Sequence, residues 1–173
     1  MNGKFIGGFI VITALVAGAA MYWLQVYGFY DTVDYQPDSV VLTVLATETP
    51  EPILAENFQG IDADSSPLRF RACFTTPMSQ AMLTETYVTY PVADPLVAPS
   101  WFKCFDAAAI GAALETGEAI AFLGQANIEY GVDRVVAVFD DGRAFVWHQL
   151  NNCGDTLYDG SAAGPACPTR DGG

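Results

Sequence analysis

Apolar residues fill the stretch from Phe5 to Leu24 without one charge, and no other part of the chain has that pattern. Twenty residues at about 1.5 Å per residue match the roughly 30 Å hydrocarbon core of a bilayer. Beyond Leu24 the pattern tapers through Val26, Tyr27, Phe29 and Tyr30, so that Tyr22, Trp23 and these aromatics group at one end like an interfacial belt. The pattern predicts a transmembrane anchor over residues 5–27, a short cytoplasmic N-terminus at 1–4, a juxtamembrane connector at 28–38 and a separate domain over 39–173. A cleaved secretory signal is the alternative reading. Ala17-Gly18-Ala19-Ala20 offers a small-residue site for cleavage after Ala20, but the apolar run passes straight through it.

Within the span, Gly7, Val11, Ala14, Gly18 and Met21 recur at helical spacing, and because three of the five are Gly or Ala they predict a seam where a second helix can approach closely. Phe9, Ile12, Leu15 and Val16 form the bulkier opposite face. Lys4 and the amino terminus precede the span, whereas Asp31, Asp34 and Asp38 follow it. That asymmetry predicts an N-in orientation, with the domain outside the cytoplasm.

In the domain the period changes to two. Ser39–Leu45 is rich in β-branched residues and predicts a strand; residues 46–67, with Pro50, Pro52, Gly60 and Pro67, predict an irregular loop. Leu68–Phe74 alternates, Leu68, Phe70, Ala72 and Phe74 against Arg69, Arg71 and Cys73, as in a half-buried strand. Thr76-Pro77 predicts the start of a short helix through Met78, Met82 and Leu83, and Thr86–Tyr90 a further strand. Pro91, Pro95 and Pro99 mark a loop. Asp106–Thr116 has an N-capping Asp, an Ala-rich body and a closing Gly117, the signature of a helix. Glu118–Leu123 predicts a strand, and Asp133–Asp140 with Arg143–Gln149 a hairpin around Asp141-Gly142. The whole predicts an N-terminal transmembrane helix followed by an α+β domain, mainly antiparallel sheet with one or two helices.

Charge and cysteine content sharpen the placement. The chain after the span holds all twenty acidic residues and six of the seven basic ones, a net charge of −14, which disfavours nucleic acid. Cys73, Cys104, Cys153 and Cys167 all follow the span; an even number in an exported domain predicts two disulfides. Of the three possible pairings, the short separations favour Cys73–Cys104 and Cys153–Cys167. No C-x-x-C spacing points to redox chemistry or a zinc ribbon.

Candidate chemistry is sparse. Arg69 and Arg71 on one strand face form a candidate anion clamp. His148, the one histidine, is a candidate base, or else a sheet-face residue bonded to a neighbour. Met78 and Met82 at i, i+4 suit Cu(I) or a core. Asp62-x-Asp64 and Asp155…Asp159 read as acidic loops without the EF-hand pattern. The sequence has no G-x-S-x-G, H-E-x-x-H, Walker loop, G-x-G-x-x-G or C-x-x-C-H. These features imply no cofactor and no metal.

The opening MNGKFIGGFIVITALVAGAAMYWLQVYGFY resembles the start of an uncharacterised family of small bacterial single-span membrane proteins of unknown function. The resemblance implies the bacterial inner membrane and a periplasmic domain, and no activity. The expected function is a non-enzymatic accessory or assembly subunit with the bilayer and a membrane protein as partners; the alternative is a periplasmic domain that senses a small anion through Arg69 and Arg71.

Overall fold

The computed structural model describes residues 3–154, Tyr158 and Cys167. Helix α1, Gly3–Trp23, continues as a π-helical turn over Leu24–Gly28. No residue of α1 is buried, and Gly3–Gly28 is long and apolar enough to cross a membrane.

The chain then enters a sheet almost at once. Strand β1, Asp31–Val33, lies inside the stretch expected as a connector. A two-stranded ribbon follows, β2 (Val41–Thr43) with β3 (Pro50–Pro52). The main sheet uses β1, β4 (Glu56–Asp62), β5 (Arg71–Thr75), β6 (Ala119–Glu129), β7 (Val132–Phe139) and β8 (Arg143–Leu150). Their order is β1-β4-β5-β8-β7-β6, with every neighbouring pair antiparallel. Two helices join them, α2 (Gln80–Thr86) and α3 (Ala107–Thr116).

The centre of this sheet is covered on both faces. Alternate residues of β5, β7 and β8 (Ala72, Phe74, Val136, Val138, Ala144 and Val146) pack with Leu42 of the ribbon and Leu83 of α2. The intervening residues, among them Val135, Phe145 and the fully buried Trp147, pack with Ile110 of α3 and with Phe102 and Phe105 of the preceding loop. Period two therefore sorts side chains into two cores rather than into core and solvent. The domain is three layers: ribbon and α2, sheet, then α3 and its loop.

Local signals explain the elements that sequence pattern placed well. Asp106 caps α3 by accepting from the Ala108 and Ala109 amides, and Gly117 closes it at φ 78°. The β7–β8 turn spans Asp140–Gly142, with Gly142 at φ 86° and its amide bonded to the Phe139 carbonyl. A Cβ at Gly142 would also stand 2.6 Å from the Thr76 carbonyl oxygen, so this position needs glycine twice over.

Four expectations are corrected. The loop at 46–67 contains β3 and β4. Its β4 is hard to see because Asn57 takes φ 53° and the β4–β5 register shifts between Glu56 and Gln59, which breaks the alternation. The strand at 68–74 begins only at Arg71, after a 3-10 turn over Pro67–Arg69 capped by Ser66, and both of its faces are buried. The short helix starts from Ser79, whose hydroxyl accepts from the Met82 amide; Thr76 Oγ1 serves the Met78 amide instead. In place of a strand over 86–90, Thr86 ends α2 and two isolated bridges follow, Val44–Tyr87 and Thr89–Phe122, while β6 runs on to Glu129.

Both disulfides join the pairs favoured by separation, with Cα–Cα distances of 6.2 Å for Cys73–Cys104 and 5.6 Å for Cys153–Cys167. Cys73–Cys104 fastens the loop before α3 to central strand β5. The acidic pair Asp155…Asp159 lies outside the described residues.

Removing the Cys73–Cys104 bridge by the double change to Ala should cost about 3–4 kcal/mol, from the chain-entropy model for its separation of 31 residues. Denaturant unfolding of the full chain measures it. Alkylation without reduction should label no described cysteine in the wild type.

Candidate functional site

The side chains singled out by sequence are built into the fold's interior bonding rather than left free. Arg71 is buried on β5, and four of the five guanidinium N–H groups are taken by backbone carbonyls. Nε donates to Leu96 (2.8 Å), Nη1 to Leu68 (2.8 Å) and Phe70 (2.6 Å), and Nη2 to Val97 (3.4 Å). Burial lowers its pKa to about 10, with Tyr30 and Asp62 pulling the other way, so it stays charged at neutral pH. Arg69 lies in the 3-10 turn, its guanidinium 5.4 Å from the centre of the Tyr30 ring. The two arginines thus do not form a paired cationic face. Arg71 ties the loop at 91–105 to the sheet.

His148 is occupied at both ring nitrogens. Nδ1 lies 2.7 Å from the Pro67 carbonyl, which can only accept, so Nδ1 carries the proton. Nε2 then accepts from Arg134 Nε at 3.0 Å. Phe70 stacks on the imidazole at 4.8 Å and Arg134 lies 4.9 Å over Phe70. Burial first, then the Arg134 charge, depress the His148 pKa to about 3. A neutral imidazole with both nitrogens engaged fixes geometry and has no free position for proton transfer.

Asp62, beside the cleft that His148 lines with Asp64 and Glu129, accepts from the Ala63 amide; burial raises its carboxyl above the usual value. Met78 precedes α2 and packs on the core, while Met82 is exposed, so the i, i+4 helical spacing expected for them is not formed. Among the described residues no His, Cys, Asp or Glu cluster could hold a metal.

A second buried hub lies at the far ends of β7 and β8. Asp133 accepts from the Tyr90 hydroxyl, the Asn127 amide and Asn151 Nδ2. Gln149 accepts from the Trp147 indole and the Asp94 amide and donates to the Val92 carbonyl. Burial, then Asp133, push the Tyr90 phenol well above its ordinary pKa and keep it a donor.

The contact that sequence reasoning missed is at the exit of the apolar helix. The Trp101 indole Nε1 donates to the Val26 carbonyl at 2.6 Å. Val26 lies in the π-helical turn, where carbonyls at a helix end lack intrahelical partners. Tyr27 stacks on Trp101 at 6.3 Å, and Tyr30 meets it edge-on at 6.1 Å. The grouped aromatics at the span's exit were visible in sequence. Their partner was not, because Trp101 is separated from Val26 by 75 positions.

This loop, and every element of the domain except edge strand β1, falls within residues 40–168, which match a family model described as a family of unknown function (DUF6446). The chain belongs to the DUF6446 family. The match lies on the domain, whereas the resemblance noted above lies on the first thirty residues. Neither the curated proteins nor the solved structures hold a match to the chain. The family domain therefore gains its functional reading from its own geometry.

The His148 shift sets an acid limb. The folded pKa lies below the unfolded value of 6.5, so its contribution is full above pH 6.5 and is lost as pH falls toward 3. Stability should drop by about 1.4 kcal/mol per pH unit through that window from this group, with Asp62 offsetting part at the acid end. Denaturant midpoints of the wild type and His148→Gln against pH check this: the variant, less stable throughout, should lack the limb.

Proposed function

We propose that this DUF6446 protein is a single-pass protein of the bacterial inner membrane, N-in. It acts as a non-enzymatic accessory or assembly subunit, docking through its span and its periplasmic domain. The observation that carries this reading is the joint: an apolar helix with no buried residue is held at its exit by Trp101 of the domain. A helix so exposed needs an apolar surrounding. A domain locked to its end has a fixed pose against whatever that helix binds.

Three further observations support it. The two disulfides suit an oxidising compartment. The candidate catalytic and anion-gripping side chains, His148 and Arg71, are already engaged internally. The seam of Gly7, Val11, Ala14, Gly18 and Met21 is open, since a Cβ added at Gly7 or Gly18 meets nothing within 4 Å. Close helix packing of this kind drives association in lipid, where tails already solvate apolar side chains.

Two measurements test the reading. A phosphatase fused after Gly173 should be active and a cytoplasmic reporter there silent; the reverse sinks the orientation. In gentle detergent, Gly18→Leu should lose co-purifying membrane partners or self-association, while Leu15→Ala keeps them. Equal recovery with Gly18→Leu and wild type would remove the seam as a docking surface.

A further inference from the structure

The loop that grips the helix also faces the level at which that helix leaves the bilayer. Trp101 reaches the carbonyl of Val26, two positions past Leu24, where the continuous apolar run ends, and two before the end of the candidate span at Gly28, so the loop stands at headgroup depth if the span is in lipid. Four positions before Trp101, Val97 is 82% exposed, although its carbonyl is held by Arg71. A single exposed Val is ordinary on a protein surface, and at this depth beside the helix exit it is placed to enter an apolar surrounding.

Charge supplies the independent observation. The domain is strongly acidic, and its cations are unevenly placed. Arg143 pairs with Asp141 at 2.6 Å, Arg134 is bonded to His148, and Arg71 is buried among carbonyls. The domain's remaining cations among the described residues are Arg69, over the Tyr30 ring, and Lys103, exposed two positions after Trp101. Both belong to the joint or its loop. An acidic domain would otherwise be pushed off an anionic surface, and the two cations beside the helix exit offset that repulsion locally, against Asp31 at the start of β1.

We propose that residues 97–103 are a membrane-interface seat. Trp101 and Val97 enter the headgroup region of the bilayer that α1 spans, and Arg69 and Lys103 bind anionic lipid headgroups around it. The proposal rests on the anchor reading and adds the lipid surface as the domain's own ligand. Trp is suited to this position, with an apolar body and an N–H that here is already satisfied by Val26.

The test uses the full chain in vesicles of phosphatidylcholine and phosphatidylglycerol whose acyl chains carry bromine near the headgroup end. Trp23→Phe leaves Trp101 and the buried Trp147 as emitters. Shallow bromine should quench this variant, and adding Trp101→Phe should remove the quenching. Arg69→Gln with Lys103→Gln should lower the quenching when phosphatidylglycerol is present and leave it unchanged in phosphatidylcholine alone. Quenching of the wild type but not of Trp23→Phe would show an inserted helix with the loop held off the surface, and overturns the seat alone. A wild type insensitive to bromine overturns the anchor and the seat together. With phosphatidylglycerol present, quenching of the charge variant equal to that of the protein with Arg69 and Lys103 intact overturns the headgroup contact.

Discussion

Two-sided burial of the sheet's centre is the constraint from which the rest follows. Strands β5, β7 and β8 have apolar side chains on both faces, and each face needs a cover. On one side the β2–β3 ribbon and α2 supply it. On the other, α3 is too short to cover the sheet alone, and the Pro-rich loop before it completes the layer with Phe102 and Phe105. An irregular segment used as a core layer has carbonyls to satisfy and little local stability of its own. Arg71 and the Cys73–Cys104 bridge answer both needs, the first by taking the Leu96 and Val97 carbonyls and the second by a covalent tie to β5.

The same loop then becomes the link to the helix. Because its backbone is held at Leu96, Val97 and Cys104, Trp101 between them is presented at a fixed place. It meets the π-helical turn with a hydrogen bond and two ring contacts. Strand β1 follows that turn after two residues and pairs with β4, so the chain from α1 is fastened again at the sheet's edge. Core packing, a buried cation and a helix exit are thus one mechanical unit.

How much of this was legible depended on the range of the interactions. Helix α3 and the β7–β8 hairpin were readable because Asp106, Gly117 and Gly142 act on residues near them in sequence. Strand β4 was not, since its pairing to β1 and β5 is set by tertiary context and Asn57 breaks its alternation. The alternation at Leu68–Phe74 assigned faces correctly from Phe70 onward but gave no sign that the second face is buried too. Arg71 therefore read as a surface clamp, when it is an interior tie whose loop partners, Leu96 and Val97, lie 25 and 26 positions away. The histidine's engagement with Arg134 and Pro67 was equally invisible to spacing.

The central claim is that Trp101 couples the apolar helix to the domain. Amide hydrogen exchange of the full chain in detergent, comparing wild type with Trp101→Ala, tests it most directly. Coupling predicts that amides from Tyr27 to Val33 are protected in the wild type and exchange much faster in the variant, while those of β7 and β8 stay protected in both. Equal exchange over Tyr27–Val33 in the two proteins would contradict it.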